Sequence, residues 1–225
     1  MRGAVRDTFA IHEKSDKLRI LTTDTSGSDL ENCLFLLDEK LKLTGTLAHI
    51  AVGESIYAAR FLGDMAYFIT YRNTDPLFAA DLSDETDPKL VGELKNTGFS
   101  EYLHFWGRDK LLGLGYETNP ETGSHEGLKL VMFDMSDPAA LKVLDSHVLS
   151  KAGYSPALYD YKAVLADPEE NLIGFVSEDY RNGVKRRYEL YQWDGESFRK
   201  ILSEELNDGY ESDNYRGLYI GERFY

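Results

Sequence analysis

Arg60, Tyr102, His104, Lys162 and Arg216 are the residues whose types and places could do chemistry. Three are cations, one is a titratable imidazole and one is an aromatic phenol. They fall at corresponding points of successive apolar stretches, so inner strands would carry them toward a common pocket ringed by Tyr57, Tyr102, Tyr161 and Tyr215. Such a pocket would be a cationic and aromatic funnel in an otherwise acidic molecule. A plainer reading outweighs it: these residues pair with turn carboxylates and fill space, as buried polar groups must.

Reaction chemistry has less support. Ser100 with His104 suggests a nucleophile and base, yet no Gly-x-Ser-x-Gly elbow is present. A glycoside hydrolase needs two opposed carboxylates, and the acids here are too many to single out a pair. No phosphate loop, dinucleotide fingerprint, HExxH or CxxC occurs. A hydrolase, with carbohydrate as one substrate class, is therefore the second reading behind a non-catalytic binding module.

A second group of candidates is acidic: Asp38-Glu-Lys, Asp81-Leu-Ser-Asp84, Asp134-Met-Ser-Asp137-Pro and Asp194-Gly-Glu. Paired carboxylates can hold calcium, which takes six to eight oxygens. Carboxylates at strand ends also accept bonds from the backbone N–H groups of a turn. One acid at the same place in each unit is what a turn requirement produces, so the turn reading prevails and no cofactor or metal is expected. Calcium in the loop Glu204-Glu-Leu-Asn-Asp-Gly-Tyr-Glu-Ser-Asp213 is the weaker alternative, because the spacing lacks the closing Glu of an EF-hand.

The elements that must position these residues are strands. Four units follow one order. The first has Thr8-Phe-Ala-Ile-His-Glu13, Lys17-Leu-Arg-Ile-Leu-Thr-Thr23, Cys33-Leu-Phe-Leu-Leu-Asp38 and Leu41-Lys-Leu-Thr-Gly-Thr-Leu47. The terminal Asp of the third strand recurs at 38, 81, 134 and 194. That rhythm suits four-stranded propeller blades with loops of varying length. The turns between first and second strands hold Gly63-Asp64, Gly107-Arg-Asp109 and Asp167-Pro-Glu-Glu-Asn171. The expected fold is all-β, a single β-propeller domain over 1–225. Its blades cover roughly 7–50, 55–97, 100–150 and 160–206, with a partial one at 214–225. The fourth first strand is expected at Lys162-Ala-Val-Leu-Ala166, and helix signals are confined to Ser136-Asp-Pro-Ala-Ala-Leu141 and Ser203-Glu-Glu-Leu206.

Composition narrows the partners. The formal charge is −14, which argues against nucleic acid, since phosphate binding needs a clustered positive field. Tyr (15) and Phe (11) dominate the aromatics, as half-buried pleated surfaces favour. The single Cys33 reads as a core residue. No apolar run is long enough to span a membrane, and the first residues lack a signal-peptide core. The chain stops on Glu-Arg-Phe-Tyr225, inside a strand pattern, which reads as a portion of a longer parent.

The segments Glu54-Ser-Ile-Tyr-Ala-Ala-Arg-Phe-Leu-Gly-Asp64, Gly98-Phe-Ser-Glu-Tyr-Leu-His104, Gly127-Leu-Lys-Leu-Val-Met-Phe-Asp-Met-Ser-Asp-Pro138, Tyr154-Ser-Pro-Ala-Leu-Tyr-Asp-Tyr-Lys-Ala163 and Arg216-Gly-Leu-Tyr-Ile-Gly221 carry a resemblance. Together they resemble bacterial secreted proteins with a C-terminal β-propeller distantly related to WD repeats. The resemblance implies a propeller and export to the envelope or outside, in a family of unassigned function. Tyr161 stands where that family tends to have His. Four blades and a strand leave edges open, so pairing with a second copy is a third reading, of a module that self-assembles. The partner of the binding reading is a protein, peptide or glycan.

Overall fold

The computed structural model describes residues 1–71, 75–149, 153–180, 184–206, 215–221 and 223–225. It contains four antiparallel four-stranded sheets, each with its strands in sequence order. The first is β1 (Ile11–Lys14), β2 (Lys17–Asp24), β3 (Glu31–Leu37) and β4 (Leu43–Ile50). The second is β5 (Ser55–Leu62), β6 (Met65–Tyr71), β7 (Asp75–Asp81) and β8 (Lys89–Asn96). β9 (Phe99–Trp106), β10 (Lys110–Thr118), β11 (His125–Asp134) and β12 (Lys142–Leu149) form the third. β13 (Leu165–Asp167), β14 (Leu172–Asp179), β15 (Lys185–Trp193) and β16 (Phe198–Glu205) form the fourth, and β17 (Tyr219–Ile220) pairs with β18 (Arg223–Phe224) in a short hairpin.

The chain divides into two compact units, Met1–Leu103 with Asp137–Leu141, and His104–Ser136 with Lys142–Tyr225. In the first, Leu21, Leu34, Leu36, Ile56, Phe68, Phe78 and Leu82 form the main core. Leu111, Phe133, Phe175 and Tyr191 are among the buried side chains of the second. Each such burial contributes about 1.5–3 kcal/mol. β3, β6 and β14 are buried on both faces, whereas β8, β12 and β16 alternate with exposed positions. Continuous apolar runs in the middle strands follow from this two-sided cover.

Turn chemistry sets the strand ends. Ser15 and Asp16 both hold positive φ in the β1–β2 turn, the backbone that matches the twist of a tight hairpin. Gly63, Gly107 and Asn171 take the left-handed conformation in the corresponding turns of the later sheets. After the third strands, Asp38 accepts from the N–H of Lys40 and Lys42, Asp81 from Ser83, Asp134 from Ser136, and Asp194 from Glu196 and Ser197. These carboxylates thus make the backbone bonds that the turn reading requires.

Several sequence expectations shift. Thr8 to Ala10 form a 3-10 turn rather than a strand, because Asp7 accepts from the Phe9 N–H at 2.8 Å and caps it. Asp160 caps a second such turn, Tyr161–Ala163, so Lys162 precedes the strand, which begins only at Leu165. Ser203 belongs to β16 and not to a helix: Arg187 of β15 bonds its hydroxyl and carbonyl at 2.8 and 2.7 Å, and that pairing overrides local preference. The 136–141 segment is a turn, with Asp137 accepting from Ala139. Arg216 lies outside a strand, and the short β17 pairs with β18. Of the acidic loop weighed for calcium, 207–213 lie outside the described residues, as does residue 214 at the head of the expected fifth blade.

Candidate functional site

In the first unit, the segment before β1 meets β5 and the start of β9 around two arginines. Arg60, on β5, has its guanidinium carbon 3.5 Å from the centroid of Phe9 and 5.1 Å from that of Tyr102. Asp7 holds the 3-10 turn that presents Phe9. Arg60 donates to the Ala59 carbonyl at 2.7 Å, and among the described residues no carboxylate lies within ion-pair distance of it. Burial pulls its guanidinium below the ordinary range, with Tyr102 and Asp7 opposing that shift. Burial likewise raises the Tyr102 phenol. Cation–ring contacts add to the through-space pull of Asp7 here, worth about 2 kcal/mol where water is excluded.

Arg6 is the second cation. Its guanidinium lies 4.9 Å from the Tyr57 ring and 2.5 Å from Glu101 Oε2. Tyr57, Tyr71 and Phe99 form an aromatic cluster, with Tyr71 and Phe99 stacked at 4.2 Å. Glu101 is buried. Desolvation pushes its carboxyl up to about 7, against the pull of Arg6. The cluster therefore combines two ring-bound arginines with one acid that titrates near neutrality.

Of the five residues proposed from sequence, Arg60 and Tyr102 come together. His104 is half-buried on β9 in the second unit. Lys162 is exposed, its Nζ 5.9 Å from the Tyr161 ring. Arg216 is exposed, and the adjacent Tyr215 packs on the cluster of Val176, Tyr188 and Leu190. Phe224 joins that same cluster, and Tyr219 donates to Asp167. Sequence reasoning missed Arg6, Phe9 and Glu101. Glu101 had one signal, its place beside Tyr102 on an alternating strand. Phe9 had none, because Thr8-Phe-Ala-Ile-His-Glu13 alternates as a strand does.

A model of the Beta propeller domain family matches residues 1–225. The chain belongs to that family. Two curated relatives of this propeller domain, both archaeal, are uncharacterised. One, from Archaeoglobus fulgidus, is 35% identical over 190 residues, covering 81% of this chain and 29% of its own length. The other, from Methanocaldococcus jannaschii, is 39% identical over 174 residues, covering 76% of this chain and 27% of its own length. The chain thus spans under a third of these relatives. Among solved structures, the domain is similar to the beta-propeller domain of the Trilobed protease from Pyrococcus furiosus, at 13% identity and TM-score 0.48, over 86% of this chain and 56% of that one. It is also similar to a candidate 6-phosphogluconolactonase from Bacteroides uniformis, at 11% identity and TM-score 0.52, with the same coverages. At 11% identity the likeness to this second structure is one of fold.

Proposed function

We infer that this propeller domain is a non-catalytic binding module, working in the cell envelope or outside the cell, that takes an anionic group of a peptide or glycan on Arg60. The observation that carries the reading is a half-buried guanidinium between Phe9 and Tyr102, on which Asp7 acts only through space and which has no carboxylate within ion-pair distance among the described residues. A cation withdrawn from water without a counter-ion is costly, and an incoming carboxylate relieves that cost with paired, charge-assisted hydrogen bonds. The two rings hold the guanidinium plane in place, so little side-chain entropy is lost on binding. The formal charge of −14 makes this selective, because acidic ligands are repelled elsewhere.

The test is an array of acidic glycans and peptides with free C-terminal carboxylates, each beside its neutral counterpart. Wild type should retain acidic members and lose them on Arg60→Met. Equal retention of acidic and neutral members, or an unchanged pattern in Arg60→Met, would sink the reading. Cleavage of array members would favour the hydrolase instead.

A further inference from the structure

Within the second unit, turns of the third and fourth sheets border a groove of about 670 Å³, lined by Trp106, Asp109, Lys110, Asn171, Trp193 and Asp194 among others. That size falls in the range of small-molecule sites, about 300–1,000 Å³. The corresponding place between the first two sheets is closed by side chains. There Lys14, at the end of β1, and Arg19 of β2 both donate to Asp64 at 2.7 Å, and Arg19 also donates to the Gly63 carbonyl.

The second unit carries other residues at those positions. Arg19 pairs with Leu36, two residues before the turn-holding Asp38, and Leu112 pairs with Met132, two before Asp134. Trp106 ends β9 as Lys14 ends β1. Asn171 stands for Asp64, since the Asp64 carbonyl accepts from the Leu82 N–H and the Asn171 carbonyl from the Trp193 N–H. A leucine and an indole cannot make the ties that two cations make to a carboxylate, so this groove stays open.

Its polar groups are left unpaired. Trp106 and Trp193 are only 5% and 3% exposed, and Trp193 packs on Phe198 with ring centroids 5.0 Å apart, so ring edges rather than faces meet the groove. Among the described residues neither indole N–H has a hydrogen-bond partner within the protein, and neither is sealed from water. The Asn171 amide is unpaired in the same sense, and Gln192, which also lines the groove, accepts from Arg199 through its oxygen and keeps its N–H groups open. Acceptors border the same space. Asp109 bonds Lys110 at 3.0 and 3.1 Å, and Asp194 takes the N–H groups of Glu196 and Ser197. A carboxylate has about four acceptor sites, so both retain capacity.

We propose that this groove binds a neutral sugar, a hexose unit of a glycan. Each sugar hydroxyl both donates and accepts, which matches indole and amide N–H groups set beside carboxylates. Other ligand classes fit worse. Two carboxylates against one ammonium repel an anion, and Lys110 already occupies Asp109, where a cation would go. The two large apolar rings are buried, so a hydrophobic side chain would gain little. The site lies in the second unit and stands on its own observation, whereas Arg60 lies in the first.

The chain has two tryptophans and both line the groove, so a nitrogen–proton correlation spectrum of the labelled full chain holds two indole peaks that report on this site. The probes are glucose, galactose, mannose and N-acetylglucosamine. Each is titrated to about 50 mM, since a handful of neutral hydrogen bonds supports a dissociation constant of about 1 mM. At least one sugar should move both peaks saturably. Asn171→Gly, which removes the amide and accepts φ 58°, should weaken that titration about fivefold with an unchanged circular-dichroism spectrum. Gln192→Ala should do the same. Acetylated and amidated triglycine, which offers peptide groups without charge, should leave both peaks in place. Binding this weak does not survive the washing of an array, so the array of acidic ligands and this titration fail separately. Peaks that stay still with every sugar, wild-type affinity in either folded variant, or movement by the triglycine in place of the sugars would each overturn the proposal.

Discussion

Replacing Glu101 by Gln removes a carboxyl that burial has pushed up from 4.5 to about 7. The side chain is only 6% exposed, and its ion-pair partner among the described residues, Arg6, is 33% exposed, so desolvation outweighs attraction. Between 4.5 and about 7 the folded protein binds this proton more tightly than the unfolded chain does. Stability is therefore full below the unfolded value and is lost as pH rises through the folded one. At 1.36 kcal/mol per pH unit, a rise of this size is worth roughly 3 kcal/mol. Urea unfolding of wild type and Glu101→Gln, followed at about pH 5 and about pH 8, reads this from the change in the difference between the two proteins. Other titrating groups contribute alike to both and cancel. Gln should gain roughly 2.5 kcal/mol on wild type between the two conditions, since part of the full shift is already lost at about pH 5. A difference that stays flat with pH would refute the reasoning, because it would mean that Arg6 holds Glu101 ionised throughout. Arg6→Ala supplies the converse check, deepening the loss at high pH by removing the opposing charge.

Further perturbations test the packing. Gly92→Ala should cost about 3 kcal/mol, since its Cβ would meet the Pro138 carbonyl at 1.9 Å. Gly63→Ala, with open space around it and φ 60°, should cost about 1 kcal/mol from backbone strain alone; equal shifts in thermal midpoint would contradict this ordering. Asp64→Asn should cost about 1 kcal/mol, because the buried Arg19 keeps its bond to the Gly63 carbonyl but loses the carboxylate at 2.7 Å. Hydrogen bonds from Lys14 and Arg19 lower the Asp64 carboxyl, so this contribution is present above the unfolded value and fades as pH falls through the folded one. Burial raises the Cys33 thiol, so a thiol reagent near neutral pH should react with it only slowly until urea exposes it; a fast native reaction would place it at the surface.

The repeat was legible because its signals are local. An Asp whose side chain caps the N–H two residues on works the same way wherever a strand ends, so Asp38, Asp81, Asp134 and Asp194 could be read without knowing any neighbour. Two-sided burial of Ala66-Tyr-Phe-Ile69 was legible for a similar reason, since a middle strand covered on both faces loses its alternation. Asp7 and Asp160 use the same chemistry to cap 3-10 turns, and there it misled. Thr8-Phe-Ala-Ile and Lys162-Ala-Val-Leu carry strand-like side chains, while the cap acts on the backbone. Ser203 went wrong in the opposite direction, because its ties to Arg187 come from the neighbouring strand.

The candidate site divides along the same line. Arg60 and Tyr102 could be placed together from strand order, since corresponding positions of successive sheets were expected to face one pocket. The contact that defines the chemistry, Phe9 over the guanidinium, depends on the Asp7 turn and was hidden. That turn changes what Arg60 can do. A guanidinium open on one side would exchange freely with water and gain little from one carboxylate. Held between two rings and desolvated, the same group has fewer alternatives to an incoming anion. Phe9→Ala therefore separates the two roles that the ring plays. If Phe9 serves only to fill space, the variant should lose stability and keep its acidic ligands. If it holds the guanidinium plane, retention of acidic ligands should fall in Phe9→Ala even at temperatures where the domain remains folded.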